Sequence, residues 1–220
     1  MLIEGRNVSV AIDGRSIIDG ESVVAHPGQM TALVGPSGSG KTTLLHALGL
    51  LLPVSGGNIL ADGNDVSRLT NSQRRKFWRD HASFVLQDYG IIDDESVEFN
   101  VTMRSRGGRD QDAVAAVLQR TGLEATRREL ASHLSGGEKQ RLALARAIYR
   151  KATVLFVDEP TASLDAENRQ SVITLFREFS RAGATVIVST HDDEMIAACD
   201  VVHRMGASAS IAPEPVGARL

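Results

Sequence analysis

QMTALVGPSGSGKTTLL, Gln29 to Leu45, decides how the rest of the chain is read. Thr31, Ala32, Leu33 and Val34 form a short apolar run of the kind carried by a strand buried on both faces. Gly35, Pro36, Ser37, Gly38, Ser39, Gly40, Lys41 and Thr42 then fill every fixed position of G-x-x-x-x-G-K-[ST]. Thr43, Leu44, Leu45, Ala47 and Leu48 continue with helical spacing. A polyphosphate requires this order. Glycines let backbone N–H groups turn inward, and the helix that follows points its partly positive end at the same place. Lys41 adds a charge for the β- and γ-phosphates, and the Thr42 hydroxyl suits Mg²⁺. A Gly/Ser-rich turn ahead of a structural helix is the simpler alternative. Strand, loop and helix falling together count against it, and the stretch is read as a nucleoside triphosphate site, with residues 35–43 in contact with ATP.

The composition is that of a globular domain. The chain has 220 residues, 42% of them hydrophobic, long enough for one large domain or one with an appended lobe. A formal net charge of −3 gives no nucleic-acid surface, and none is expected as a partner. Basic residues cluster at Arg74, Arg75, Lys76 and Arg79 and at Arg127 and Arg128; on predicted helices these read as solvated faces. The single cysteine, Cys199, follows Ile196, Ala197 and Ala198 and reads as a buried filler in a reducing compartment. The most apolar stretch, Leu44 to Val54, is interrupted by His46, Gly49 and Pro53 and is too short to cross a bilayer. The first residues lack the layout of a secretion signal.

Outward from the phosphate loop, Leu2 to Val10 and Arg15 to Ala25 read as strands around a turn at Asp13-Gly14. They form an antiparallel flap ahead of a second turn at His26-Pro27-Gly28. After the loop come a strand at Asn58 to Ala61, a helix at Leu69 to Asp80 capped by Thr70 or Asn71, and a strand at His81 to Gln87. Residues 88–134 change character. Asp88 to Ser96 is acidic and loop-like, whereas Ser96 to Met103, Asp110 to Thr121 and Leu123 to Ala131 carry helical spacing. The segment is predicted to be a helical lobe inserted in an α/β core. Gly136 to Arg150 is a strong helix, Ala152 to Val157 a buried strand, and Ala166 to Ala182 an amphipathic helix. Ala184 to Ser189 is a further buried strand, Asp192 to Ala198 a short helix and Asp200 to Arg204 a last strand. Beyond Met205 the composition predicts a mobile tail.

Alternation of strands and helices predicts a mostly parallel sheet, whose carboxyl ends share the crevice of the phosphate loop. Three predicted strand ends carry polar residues there: Gln87, Asp158-Glu159 and His191. An acid closing an apolar strand can hold Mg²⁺ through water, the role given to Asp158. The neighbouring Glu159 can orient and polarise an attacking water. Taken alone, VLFVDE reads equally as a strand before an acidic helix cap, Gln87 as a cap and His191 as a core histidine.

Leu134-Ser135-Gly136-Gly137-Glu138, continuing as KQRLALARAI, resembles the signature motif of ABC-type ATPases. Around it the other elements of that family fall in order over residues 1–205: the Gln87 loop, Asp158 and Glu159, a D-loop at Ser163-Leu164-Asp165, and the switch histidine His191. The resemblance implies a P-loop NTPase core of RecA type, an N-terminal antiparallel β subdomain, an inserted helical subdomain at about 88–136, and a flexible tail at 206–220. It implies ATP and Mg²⁺ as ligands, with Glu159, His191 and Gln87 catalytic and Thr42, Gln87 and Asp158 at the metal. Ser135, Gly136, Gly137, Glu138 and Asp165 would contact ATP held by a second copy, in a head-to-tail sandwich of two ATP molecules. One position departs from the family: Ile12 stands where an aromatic residue usually stacks on the base, which weakens ATP-over-GTP discrimination. Gln87 to Val101 resembles a group that includes macrolide and lipoprotein-release exporters, peptide exporters and the cell-division ATPase of bacteria. That likeness implies an export ATPase on the cytoplasmic face of the membrane, docked to a permease through Gln87–Asn100 and the helical subdomain. Soluble, non-transport ABC ATPases of iron–sulfur assembly, cell division, DNA repair or translation are the alternative.

Overall fold

The computed structural model describes residues 1–86, 90–104, 110–162, 164–206 and 214–215. Strands β1 (Ile3–Ile12) and β2 (Arg15–Ala25) form the expected hairpin. Its turn residues Asp13 and Gly14 both take positive φ, 50° and 77°, as a tight hairpin whose twist matches its strands requires. With β4 (Gly56–Ala61) and β5 (Asn64–Asp65) they make a four-stranded antiparallel sheet, ordered β2-β1-β4-β5.

The second sheet carries the residues predicted to form the nucleotide site. β3 (Met30–Val34), β6 (Ala82–Val85), β7 (Val154–Asp158), β8 (Thr185–Ser189) and β9 (Val201–Arg204) are mutually parallel, in the order β9-β3-β8-β7-β6. Every residue of β3, β7 and β8 is buried, the consequence of covering both faces of a parallel sheet. Helix α1 (Lys41–Leu48) fills the space between the two sheets, its Leu44, Leu45 and Leu48 packing with Ile3, Val23 and Ile59 on one side and Phe156 and Ile187 on the other. The opposite face is covered by α5 (Gly136–Tyr149), α6 (Ala166–Arg181) and α7 (Asp193–Ala198).

Helix α2 (Asn71–Asp80) is closed at its start by a capping box between Thr70 and Gln73, settling the cap on Thr70. A separate core of Val97, Val101, Val114, Leu118, Leu123 and Leu134 belongs to the inserted segment, which contains α3 (Val97–Thr102) and α4 (Gln111–Arg120). Helix α5 is its shared wall. Leu142 and Ala145 face this lobe while Ala143, Leu144 and Ala147 face the sheet.

The predicted helix at Leu123 to Ala131 does not form. Only a single 3-10 turn, Ala131–His133, is present. The backbone is engaged elsewhere: N–H groups of Val97 and Glu98 donate to the carbonyls of Glu129 (2.9 Å) and Arg127 (3.1 Å), and that of Ala131 to Glu95 (2.9 Å). Leu123 and Ala131 reach the lobe core from turns, so tertiary pairing outcompetes helical spacing. Arg127 therefore leaves no helix face; it is ion-paired with Glu98 at 3.0 Å. The expected reach of a strand to Gln87 stops at Val85, and Gln87 itself lies outside the described residues. So does most of the expected tail; Glu214–Pro215 pairs antiparallel with β9. Cys199 is buried as expected, and burial pushes its thiol up to about 12.

Candidate nucleotide site

Between β3 and α1 the chain turns through Gly40, at φ 90°. A Cβ at Gly40 would stand 2.9 Å from Cγ1 of Ile18, so both conformation and space require glycine. No side chain caps α1 and no acid occupies its first turn, which leaves its N-terminal N–H groups free for a ligand. Lys41 folds back into the loop, its Nζ donating to the carbonyls of Gly35 (2.9 Å) and Pro36 (3.2 Å). The Ser39 hydroxyl is buried without a hydrogen-bond partner among the described residues. An anion entering this cradle meets donors that are unspent or held only by neutral carbonyls.

The strand ends of β7 and β8 stand beside it. Asp158 is 5% exposed, and its Oδ1 accepts from the hydroxyls of Thr42 (3.0 Å) and Ser189. Ser189 also accepts, through its carbonyl, the N–H of Glu159 at 2.9 Å, where the chain leaves β7 in a left-handed turn of φ 46°. His191 lies 3.0 Å from both carboxylate oxygens of Glu159, and the hydrogen-bond geometry is met at Oε1. Oε2 remains buried with no hydrogen-bond partner among the described residues. The fold thus gathers Lys41, Thr42, Asp158, Glu159 and His191 from three strand ends, as predicted from sequence; Gln87 and Ser163 lie outside the described residues.

Thr42 and Asp158 fit Mg²⁺ by the chemistry of their donors. Two oxygens 3.0 Å apart, one anionic, are the few protein ligands this ion takes when phosphates and waters supply the others. Among the described residues no group of three or more His, Cys, Asp or Glu offers an all-protein cage.

The signature turn is built differently. Ser135 caps α5, and Glu138 returns the bond: its Oε2 accepts from the Ser135 N–H (2.8 Å) and hydroxyl (2.7 Å). These donors hold the Glu138 carboxyl below the usual carboxylate range. Among the described residues no hydrogen bond joins this turn to the Gly35–Thr43 loop. Asp165 caps α6, accepting from the Asn168 N–H at 2.8 Å.

Sequence reasoning missed the polar residues that tie these parts together. Ser189 hides at the end of an apolar strand, its only sequence signal being its place just before Thr190-His191. Asn100, fully buried, accepts the Ile92 N–H at 2.9 Å and donates to the Ile92 and Ser96 carbonyls. Arg146 of α5 donates to the carbonyls of Asn100 (2.8 Å) and Gly90 (2.9 Å), and burial brings its guanidinium down to about 10.

Residues 18–162 match the family model described as ABC transporter. The chain belongs to the ABC transporter family of ATP-binding subunits. It is 36% identical over 201 residues to the cell division ATP-binding protein FtsE of Escherichia coli strain K12, across 89% of this chain and 90% of that protein. It is 35% identical over 205 residues to the macrolide export ATP-binding/permease protein MacB of Bordetella avium, across 87% of this chain and 30% of that protein. Its fold matches a dimeric ATP-binding cassette, MJ0796, in a post-hydrolysis state bound to ADP and phosphate, with a TM-score of 0.84, 24% identity, and coverage of 97% of this chain and 98% of that one. As a member of the ABC family the chain is an ATPase. Among the described residues no helix is long and apolar enough to cross a membrane.

Proposed function

We propose that two copies of this chain sandwich two ATP molecules and, through their closing and opening, drive a membrane permease that exports a peptide, lipid or hydrophobic drug. The observation that carries the catalytic half is the buried Oε2 of Glu159, which lies 3.0 Å from His191 yet accepts no hydrogen bond among the described residues, beside an Asp158 already aligned with Thr42. Lys41 and the N–H groups opening α1 bind the triphosphate. Thr42 and Asp158 would hold Mg²⁺, which when bound would supply charge neutralisation. Glu159 accepts a proton from the attacking water, and His191, bonded to its Oε1, fixes the carboxylate's orientation.

The export reading is supported by similarity to MacB, whose name includes macrolide export and a permease. A docking role for residues 90–100 is supported by their attachment to α5: Arg146 and Asn100 fix this segment to the same helix that carries the signature turn. Exposed Ile92 and Leu130 add apolar surface there. The similarity to FtsE, at 36% identity over nearly the whole chain, favours a second reading in which the same engine serves cell division. Peripheral attachment at the cytoplasmic face follows from either.

Replacement of Glu159 tests the mechanism. Glu159→Gln is expected to lower ATP turnover by about 10²–10⁴-fold, the contribution of a general base, while nucleotide binding is retained. Near-normal turnover removes Glu159 from the role. Affinity capture of the chain from detergent-solubilised membranes identifies the permease. A partner with a transport pore supports export, a division-complex protein supports the second reading, and recovery of the chain with no membrane protein rejects both.

A further inference from the structure

The segments expected to face the second copy, the Ser135–Glu138 turn and the loop ending at Asp165, come from different helices. One side chain joins them. Asn168, in the first turn of α6, donates from Nδ2 to Oδ2 of Asp165 at 2.9 Å and accepts at Oδ1 from Nη1 of Arg141 on α5 at 3.1 Å. Its amide also packs on the signature backbone: a Cβ at Gly137 would meet Cγ and Oδ1 of Asn168 at 3.2 Å.

None of this is needed to cap α6. That bond runs from the Asn168 backbone N–H to Oδ1 of Asp165, and any residue except proline supplies it. The side chain is additional, and its orientation is dictated at both ends. A guanidinium only donates and a carboxylate only accepts, so the carbonyl must face Arg141 and the amino group Asp165. The Asp165 carboxyl, held below its ordinary range by these Asn168 donors, stays an acceptor at neutral pH. A neighbouring cation extends the unit: Arg169 donates to the Leu164 carbonyl at 3.3 Å and pairs with Asp192 at 3.2 Å.

We propose that Asn168 is a positioning residue that clips the signature turn to the D-loop, so that both meet the second copy as one pre-formed surface. The inference rests on the ATP sandwich proposed above. An unclipped pair would have to be ordered separately during closure, so association would weaken while nucleotide binding by the single protomer would not.

The test measures ATP- and Mg²⁺-dependent dimerisation by light scattering in the Glu159→Gln background. Adding Asn168→Ala removes both side-chain hydrogen bonds and should raise the dimer dissociation constant by about 25-fold, the clip as a unit being worth roughly fivefold at each of two symmetric sites. Fluorescent-ATP affinity of the protomer should stay within about twofold, a split that general destabilisation would not produce. Asn168→Asp should also weaken the dimer, because it keeps an acceptor for Arg141 but sets a second carboxylate against Asp165. If Asn168→Ala does not fold, Arg141→Gln removes the α5 half of the clip and should raise the dimer constant on its own. Unchanged dimerisation in the folded variants, with Glu159→Gln itself dimerising, overturns the clip and leaves the sandwich standing. Failure of Glu159→Gln to dimerise overturns both.

Discussion

Two helices of this protein begin at places assigned to phosphate, and they begin in opposite ways. Helix α1 opens from a left-handed glycine with no side-chain cap and no acid in its first turn. Helix α5 opens from Ser135 inside a complete capping box, with Glu138 engaged by both serine donors. The orphan N–H groups of the first await a ligand, and the added charge of Lys41 stands beside them. Those of the second are partly satisfied by the chain itself, and a carboxylate sits where an anion would arrive. The difference assigns affinity to α1 and conditionality to α5. Under the proposed sandwich, the phosphate loop would hold the nucleotide unaided, whereas the signature turn would engage it only when the rest of an interface helps.

The largest expected effect comes from removing the charge at the first terminus. Lys41→Ala should weaken nucleotide binding by the single protomer roughly 10–100-fold, the range for charged hydrogen bonds, as read by titration with a fluorescent ATP analogue. Unaltered binding would break the assignment of affinity to α1. Ser135→Ala should leave that titration unchanged yet weaken ATP-driven dimerisation about tenfold, and its lost cap should lower folding stability by about 1 kcal/mol in denaturant melts. A matching loss of protomer affinity would erase the distinction between the two helices. The smallest effect is expected of Glu138→Gln, which keeps a capping box but removes the carboxylate's charge. Dimerisation should tighten by about two- to fivefold, a modest screened electrostatic gain.

Glu138 also carries a pH signature. Its folded carboxyl is more acidic than its ordinary value because Ser135 donors favour the charged form. Its stabilisation is therefore complete above the ordinary glutamate range and disappears as pH falls through the lowered value. Thermal melts of the native chain and of Glu138→Gln should run parallel near neutrality and diverge in that acid window.

Much of this was readable in advance wherever a residue's role is local. Leu134 to Glu138 announces a helix start by its own capping chemistry, and Asp158-Glu159 announces a strand end by an apolar run meeting acids. Residues 123–131 were misread for the converse reason. Their spacing is helical, but their backbone partners, Glu95, Val97 and Glu98, lie some thirty residues earlier in the chain, beyond any local pattern. Asn100, Asn168 and Ser189 went unseen for the same cause: each is an ordinary polar residue whose meaning is the partner it finds.

The amino-acid order alone determined that a strand, a glycine loop and a helix would meet at a triphosphate, because that chemistry is written in neighbours along the chain. Only the folded protein decided how the separate pieces are held: Asp158 aimed by Ser189, residues 90–100 tied to α5 by Arg146, and Gly137 packed against Asn168. Hydrogen bonds between segments far apart in sequence depend on distance in space, and distance in space is what folding supplies.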